Sequence, residues 1–62
     1  MNLREARFKR NISQWELSKQ SGVHQSRISL IENGHTARED EKVKIANKLK
    51  IDPHEIEWPS EK

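Results

Sequence analysis

The sequence predicts an all-α fold in the form of a compact bundle of five helices. Glycine and proline are scarce, with two of each among 62 residues. No stretch alternates apolar and polar residues for long enough to indicate a β-strand. Breaks at residues 21–22, 33–35, 50–51 and 58–59 leave segments of about ten residues, as expected for short helices joined by short connections.

The helix boundaries follow from capping patterns. Ser13 and Glu16 form a capping box, so the second helix begins at Gln14. Thr36 and Glu39 repeat this spacing and predict the start of the fourth helix. We expect helices over roughly residues 2–10, 14–20, 25–32, 37–49 and 53–57. They belong to one domain, 1–62, with a core over about 3–57 and a short tail at 58–62.

The other helix ends carry weaker signals. Asp52 and Pro53 supply an N-cap and a first-turn proline for the last helix. Gly22 and Gly34 lie where a left-handed residue ends a helix. His24 is a poor N-cap for the third helix.

Apolar residues recur at helical spacing and define the expected core. Its members are Leu3, Ala6, Leu17, Ile28, Ile31, Val43, Ile45, Ala46, Leu49 and Ile56. A chain of this length buries a small core and has no room for an enzyme's enclosed cleft, so we expect no catalytic residue and no cofactor.

Composition excludes further classes of protein. The chain has no cysteine, so it has neither disulfides nor a thiolate metal site. His24, His35 and His54 are widely spaced and lack companions at ligand spacing, which argues against zinc. No apolar run exceeds two residues, so we expect no membrane span, no signal peptide and a cytoplasmic location.

Charge is distributed unevenly along the chain. Residues 1–38 hold seven Lys or Arg and three acidic residues, whereas residues 39–62 hold five and seven. The basic half is the expected nucleic-acid side. The alternative is the ordinary charged surface of a small helical domain.

The third helix has an unusual outer face. At 100° per residue, Ile28 and Ile31 face the core together with Gln25 and Glu32. The outer face and its flanks carry Ser26, Leu30, Asn33, Arg27 and Ser29. A solvated face usually carries Lys and Glu, whereas most of these side chains are short and uncharged. They suit base edges, with Leu30 against a thymine methyl and Arg27 reaching guanine or phosphate. The alternative is that this composition has no functional meaning.

The chain resembles the helix-turn-helix of the phage repressor and Cro family, also called the XRE family. The resemblance lies in the runs ISQWELS (12–18), SGV (21–23) and QSRISLIENG (25–34). It extends through 3–7 and 45–51 and covers about residues 3–57. It implies a repressor-like bundle in which the second and third helices form the helix-turn-helix and the third enters the DNA major groove.

The resemblance also implies roles for individual residues. It places Gln25, Ser26, Ser29 and Leu30 at the bases, and the side-chain chemistry described above adds Arg27 to them. Those placed at the DNA backbone, which set register and carry no sequence information, are Gln14, Asn33, Thr36 and Arg38. Arg7 and Glu32 match a family ion pair between the first and third helices.

The expected function is sequence-specific binding of duplex DNA and regulation of transcription, as a repressor. The partner is palindromic, operator-like DNA bound by a homodimer that pairs through Ile56 and Trp58. Alternatively, Trp58 folds over the first helix and the free protein is a monomer. Trp15 can pack, approach DNA or meet a partner. Other functions for this fold are an antitoxin-like or coactivator-like protein and a pure protein-interaction module.

Overall fold

The computed structural model of the chain describes residues 1–59 and contains four α-helices followed by a 3₁₀ turn. The α-helices are Leu3–Lys9 (α1), Gln14–Ser21 (α2), Gln25–Glu32 (α3) and Glu39–Leu49 (α4), and the 3₁₀ turn is Pro53–Glu55. Within the described residues there is no β-strand, and one isolated parallel bridge joins Asn2 to Glu57. The all-α prediction is confirmed. The predicted tail, 58–62, lies outside the described residues from residue 60 onward.

The predicted fifth helix is wrong, because the chain leaves the helical path after one 3₁₀ turn. Oδ1 of Asp52 accepts from the N–H of His54 at 2.8 Å, so the expected N-cap is present. The next residue after the turn, Ile56, is extended, with φ −97° and ψ 131°. The N–H of Glu57 donates to the carbonyl of Met1 at 2.6 Å. Pairing with the start of the chain therefore replaces the hydrogen bonds that a fifth helix would need.

The start of α4 also differs from the prediction. Arg38, not Thr36, is the N-cap residue, and its N–H donates to Oε1 of Glu41 at 2.9 Å. The carboxylate of Glu41 is held in this position by Arg27, which lies on α3. The helix therefore starts at Glu39 and not at residue 37, and the carboxylate that caps it also pairs with α3.

The starts of α1 and α2 are capping boxes. In α2, Oγ of Ser13 accepts from the N–H of Glu16 at 3.1 Å, and Oε1 of Glu16 accepts from the N–H of Ser13 at 3.3 Å, as predicted. In α1, Asn2 and Glu5 exchange equivalent bonds of 2.8 and 2.9 Å. The Asn-x-x-Glu spacing is visible in the sequence, but sequence analysis missed it. Gly22 ends α2 in the left-handed conformation, with φ 79°.

The core lies where the four helices meet. Both α3 and α4 pack against α2, and α1 contacts α3. The buried apolar residues are Leu3, Ala6, Leu17, Val23, Ile28, Ile31, Ala37, Ile45, Ala46, Leu49 and Ile56. The prediction of Val43 as a core residue is wrong, since its side chain is 57% exposed. The other three predicted core residues of α4, Ile45, Ala46 and Leu49, are buried as expected.

Arg10 hydrogen-bonds to the C-terminal end of α4. Its Nε donates to the carbonyl of Leu49 at 2.7 Å, and its Nη2 donates to the carbonyl of Lys50 at 3.2 Å. Cations at a helix C-terminus are favoured by the helix dipole. Arg10 thus joins α1 to the end of α4. Among the described residues, no helix is both long and apolar enough to cross a membrane.

Candidate nucleic-acid interface

The outer face of α3 is open to solvent. Ile28 and Ile31 point into the core and are almost completely buried. On the opposite side, Ser26 is exposed and Leu30 is 38% exposed, with Ser29 half-buried beside them. The helix therefore presents uncharged hydrogen-bonding groups and one apolar side chain on a surface that another molecule can approach closely.

Gln25 is exposed, and its predicted position on the core side of α3 is wrong. It is the first residue of the helix, so it lies beyond the end of the buried stripe that Ile28 and Ile31 form. Its side-chain amide carries both a donor and an acceptor. The structure thus adds Gln25 to the solvent-facing groups of α3.

His24 caps α3 through its ring, although the sequence predicts a poor cap. The N–H of Ser26 donates to Nδ1 of His24 at 3.2 Å, and Oγ of Ser26 lies 2.8 Å from the same nitrogen. Histidine ring nitrogens can accept hydrogen bonds, as the oxygens of usual capping residues do. Sequence analysis did not predict this cap, because Ser, Thr, Asp and Asn are the preferred N-cap residues.

A buried carboxylate lies at the C-terminal end of α3. The side chain of Glu32 is 1% exposed. Nε of Arg7 donates to its Oε2 at 2.8 Å, and Nη2 of Arg7 donates to its Oε1 at 3.2 Å. Oε1 also accepts from Gln14 Nε2 at 3.1 Å and from Arg4 Nε at 3.4 Å. Burial raises the pKa of Glu32, but hydrogen bonds from Arg7, Gln14 and Arg4 outweigh it and hold the pKa below its usual range.

This cluster joins three helices. Nη1 of Arg7 donates to the carbonyl of Ile12 at 3.0 Å, which ties α1 to the chain just before α2. Gln14, expected at a phosphate, stands at the first residue of α2 and turns its side-chain amide nitrogen toward Glu32. The arrangement holds α2 and α3 in a definite relative position.

Arg27 has a different environment from the one expected on the sequence. Its Nε and Nη2 donate to Oε2 and Oε1 of Glu41 at 2.9 and 2.8 Å. Nη2 also donates to the carbonyl of Thr36 at 3.1 Å. The hydrogen bond from Arg27 outweighs the effect of burial and, with the N–H of Arg38, lowers the pKa of Glu41 to about 2. Two of the three guanidinium nitrogens are therefore engaged within the protein.

The loop after α3 lies beside its outer face. Asn33 is the C-cap residue of α3, and Gly34 follows with φ 105°. Asn33, Thr36 and Arg38 are exposed. The contact from Arg27 to the Thr36 carbonyl connects this loop to α3. Three of the four residues expected at the DNA backbone are thus carried by one loop, and the fourth, Gln14, is on α2.

Two aromatic side chains are exposed on α1 and α2. Phe8 is 65% exposed and Trp15 is 57% exposed, so packing in the core does not explain Trp15. Nζ of Lys19 lies 4.4 Å from the ring centroid of Trp15, and Cζ of Arg7 lies 5.0 Å from that of Phe8. Each cation is attracted by the negative face of the ring, so these cation–π contacts cover part of the exposed aromatic surface.

An apolar groove lies at the C-terminal end of the described chain. Trp58 is half-buried, and its Nε1 donates to the carbonyl of Pro53 at 2.9 Å. The groove is lined by Glu39, Lys42, Val43, Pro53, His54, Ile56 and Trp58. Trp58 therefore packs along the 3₁₀ turn and α4. Ile56 is 4% exposed, so the accessible apolar groups of this surface are the exposed Val43 and the half-buried Trp58 and Pro53.

A family model described as helix-turn-helix matches residues 3–56, which include all four α-helices and the 3₁₀ turn. The chain belongs to this helix-turn-helix family. The expected relationship to the phage repressor and Cro proteins is confirmed, and α2 and α3 are the two helices of the motif. Membership supports DNA binding and regulation of transcription as the function of this helix-turn-helix domain. Comparison with curated proteins and with solved structures returned no match.

Proposed function

We propose that this helix-turn-helix domain binds operator-like duplex DNA sequence-specifically and represses transcription. The observation that carries the proposal is the outer face of α3, where uncharged polar groups and Leu30 are exposed. The buried Arg7–Glu32 ion pair holds this helix against α1. An α-helix fits the major groove, where the donors and acceptors of each base pair differ. In the proposed complex Gln25, Ser26, Ser29 and Leu30 lie nearest the bases.

Each proposed base contact follows from side-chain chemistry. Gln25 can pair with N7 and N6 of adenine through its acceptor and donor. Leu30 offers an apolar surface to a thymine methyl. Arg27, which the sequence placed at a base, is proposed here to hold the loop after α3 instead, because its Nε and Nη2 already bind Glu41 and Thr36.

The proposed backbone contacts come from both ends of the motif. Asn33, Thr36 and Arg38 follow α3 in one exposed loop, and Gln14 opens α2. Phosphate contacts of this type fix the orientation of the domain on the duplex. Arg38 supplies a positive charge, and the start of α2 supplies backbone N–H groups where the helix dipole favours an anion.

We further propose that two copies bind a palindromic operator, since one short helix contacts only a few base pairs. Half-sites about 34 Å apart would place both reading helices on one side of the duplex. Trp58 and Val43 provide an accessible apolar surface for the two-fold contact. The proposed site of action is the nucleoid, in the cytoplasm.

The test of the proposed function is selection of bound sequences from random duplexes at physiological salt. Enrichment of a palindromic motif is the expected result, followed by measured affinities at least about a thousandfold tighter than for scrambled duplexes. Failure to enrich any motif, or equal affinity for all duplexes, would contradict the proposal.

A second candidate function is an antitoxin-like or coactivator-like role in which the domain binds a protein as well as DNA. The exposed rings of Phe8 and Trp15 favour it, since exposed aromatic residues commonly anchor protein interfaces. Affinity purification with wild type and with Trp15→Ala distinguishes the two roles. A stoichiometric protein partner that the variant loses would favour the second candidate.

A further inference from the structure

His24 and Ser26 are in contact at the N-terminal end of α3, next to its outer face. The backbone N–H of Ser26 donates to Nδ1 of His24 at 3.2 Å, and Oγ of Ser26 lies 2.8 Å from the same nitrogen. Both residues are exposed. The remaining polar groups of the pair, Nε2 of His24 and the lone pairs of the Ser26 hydroxyl, are therefore available to another molecule.

The backbone hydrogen bond determines which ring nitrogen of His24 is protonated. A backbone N–H can only donate, so Nδ1 has to offer it a lone pair. A neutral imidazole carries a single N–H, which is consequently on Nε2. With Nδ1 unprotonated, its 2.8 Å contact with Oγ of Ser26 requires the hydroxyl to be the donor. His24 thus presents a donor outward, and Ser26 presents an acceptor.

We propose, on the basis of the proposed function, that this pair contacts base edges with fixed roles, His24 as the donor and Ser26 as the acceptor. Nε2–H of His24 donates to N7 of a purine in the major groove, and Oγ of Ser26 accepts from the amino group of adenine or cytosine. A histidine free to exchange tautomers would offer either a donor or an acceptor at Nε2. The cap removes that choice, so selected sites carry a purine opposite His24.

A base edge suits the pair better than a phosphate does. Phosphate oxygens only accept hydrogen bonds, so a phosphate would satisfy His24 and leave the Ser26 hydroxyl without a donor. Base edges in the major groove offer acceptors and donors side by side. The complementarity of the two outward groups therefore points to bases.

The tautomer is tested first in the free protein, by long-range ¹H–¹⁵N correlation of the histidine rings above neutral pH. We expect the Nε2–H pattern for His24. His54 is the internal contrast, because its Nδ1 lies 3.2 Å from Oδ1 of Asp52 and so favours the Nδ1–H form. Detection of Nδ1–H, or of a tautomer mixture, at His24 would overturn the inference whether or not the protein binds DNA.

The contact is then tested on the selected duplex by replacing single purines with their 7-deaza analogues, which lack only N7. At one position we expect wild-type affinity to fall about fivefold, as for one lost hydrogen bond. His24→Asn should bind the natural site about fivefold more weakly and ignore the 7-deaza change. Asn is a favoured N-cap, so this variant keeps the cap and its melting temperature. His24→Ala, which loses both the helix cap and the base contact, should melt at a lower temperature.

The outcomes separate this inference from the proposed function. If every 7-deaza duplex binds wild type normally, or if His24→Asn remains as sensitive as wild type, the purine contact is overturned while DNA binding stands. If instead a neutral methylphosphonate linkage abolishes the His24 dependence, His24 contacts phosphate and the inference is overturned. If selection enriches no duplex at all, the proposed function fails and the base contact fails with it.

Discussion

Arg7 and Glu32 form a two-pronged ion pair between α1 and α3, with Nε–Oε2 and Nη2–Oε1 distances of 2.8 and 3.2 Å. The Arg7 side chain is 9% exposed and the Glu32 side chain 1%. Removing one partner of such a pair leaves a buried charge without compensation, which costs far more than the net value of the pair. This ion pair, which tolerates little change, therefore holds α3 against α1.

Arg7→Ala is expected to lower the free energy of unfolding by about 3 kcal/mol, because it strands the carboxylate of Glu32. Arg4→Ala is the matched control, since Arg4 approaches the same carboxylate at 3.4 Å with a side chain that is 57% exposed. Its expected cost is below about 1 kcal/mol. Thermal and urea denaturation measure both. Equal effects of the two variants would contradict the assigned role of Arg7.

The ion pair between Arg27 and Glu41 is expected to stabilise the fold without setting base preference. Arg27→Ala should lower the melting temperature and weaken cognate and scrambled duplexes by similar factors. Glu41→Gln is the companion variant, and the double variant should melt near the less stable single one, because both changes break one contact. A loss confined to the cognate duplex in Arg27→Ala would instead show that Arg27 reads a base.

Stability should decline in acid through Glu41, whose pKa is about 2 in the folded chain. A glutamate in the unfolded chain titrates near about 4.3. Between these values the unfolded state binds more protons, so the stability that Glu41 contributes is present above about pH 4.3 and is lost as the pH falls toward 2. Glu32, with its lowered pKa, acts in the same direction. Melting temperatures measured from about pH 6 to 2 should fall less steeply for Arg27→Ala, since its Glu41 has lost its main stabilising partner. Parallel curves would contradict this explanation.

Gln25→Ala should reduce affinity for the selected site by about 1–3 kcal/mol and change binding to scrambled duplexes little, because a base contact is lost and no charge changes. Fluorescence anisotropy titrations with the two duplexes measure the difference. An equal loss on both would mean that Gln25 is not part of the reading face.

Arg38→Ala should show the opposite behaviour. A phosphate contact contributes about −0.9 to the slope of log K against log salt, and a dimer making about six such contacts has a slope of roughly −5. Removing Arg38 should weaken all sequences alike and flatten the slope by about one unit for each copy of the residue that contacts phosphate. A wild-type slope near zero would argue against DNA binding, and an unchanged slope in the variant would remove Arg38 from the interface.

Trp58→Ala should reduce two-to-one binding on a palindromic duplex, because Trp58 is one of the accessible apolar side chains that line the C-terminal groove. Trp15→Ala is the control, since it removes the other tryptophan of the chain, which is exposed on α2 and does not line the groove. Sedimentation velocity with and without the duplex gives the stoichiometry. Strict one-to-one binding by wild type, or equal effects of both variants, would contradict the proposed dimer contact.

Much of the candidate interface could be predicted, because its signals are local. Ser13 and Glu16 lie one helical turn apart, so their capping box is visible in the sequence and marks the start of α2. The alternation of buried and exposed positions in α3 likewise follows from helical periodicity, which placed Ile28 inward and Leu30 outward. Gln25 was misplaced because periodicity does not indicate where the neighbouring elements stop covering a helix.

Local chemistry alone accounts for the helical character of residues 1–59 and the composition of the outer face of α3, and the family resemblance of residues 12–34 identified the helix-turn-helix. The features that depended on the folded chain involve residues distant in sequence: Glu41 pairs with Arg27 at the start of α4, and Glu57 pairs with Met1 just after the 3₁₀ turn. A long side chain such as Arg27 can reach several partners from its helix. Its position in the sequence does not predict which of them it binds. Packing of the core brings one partner within about 3 Å and buries it there, and that proximity decides the contact.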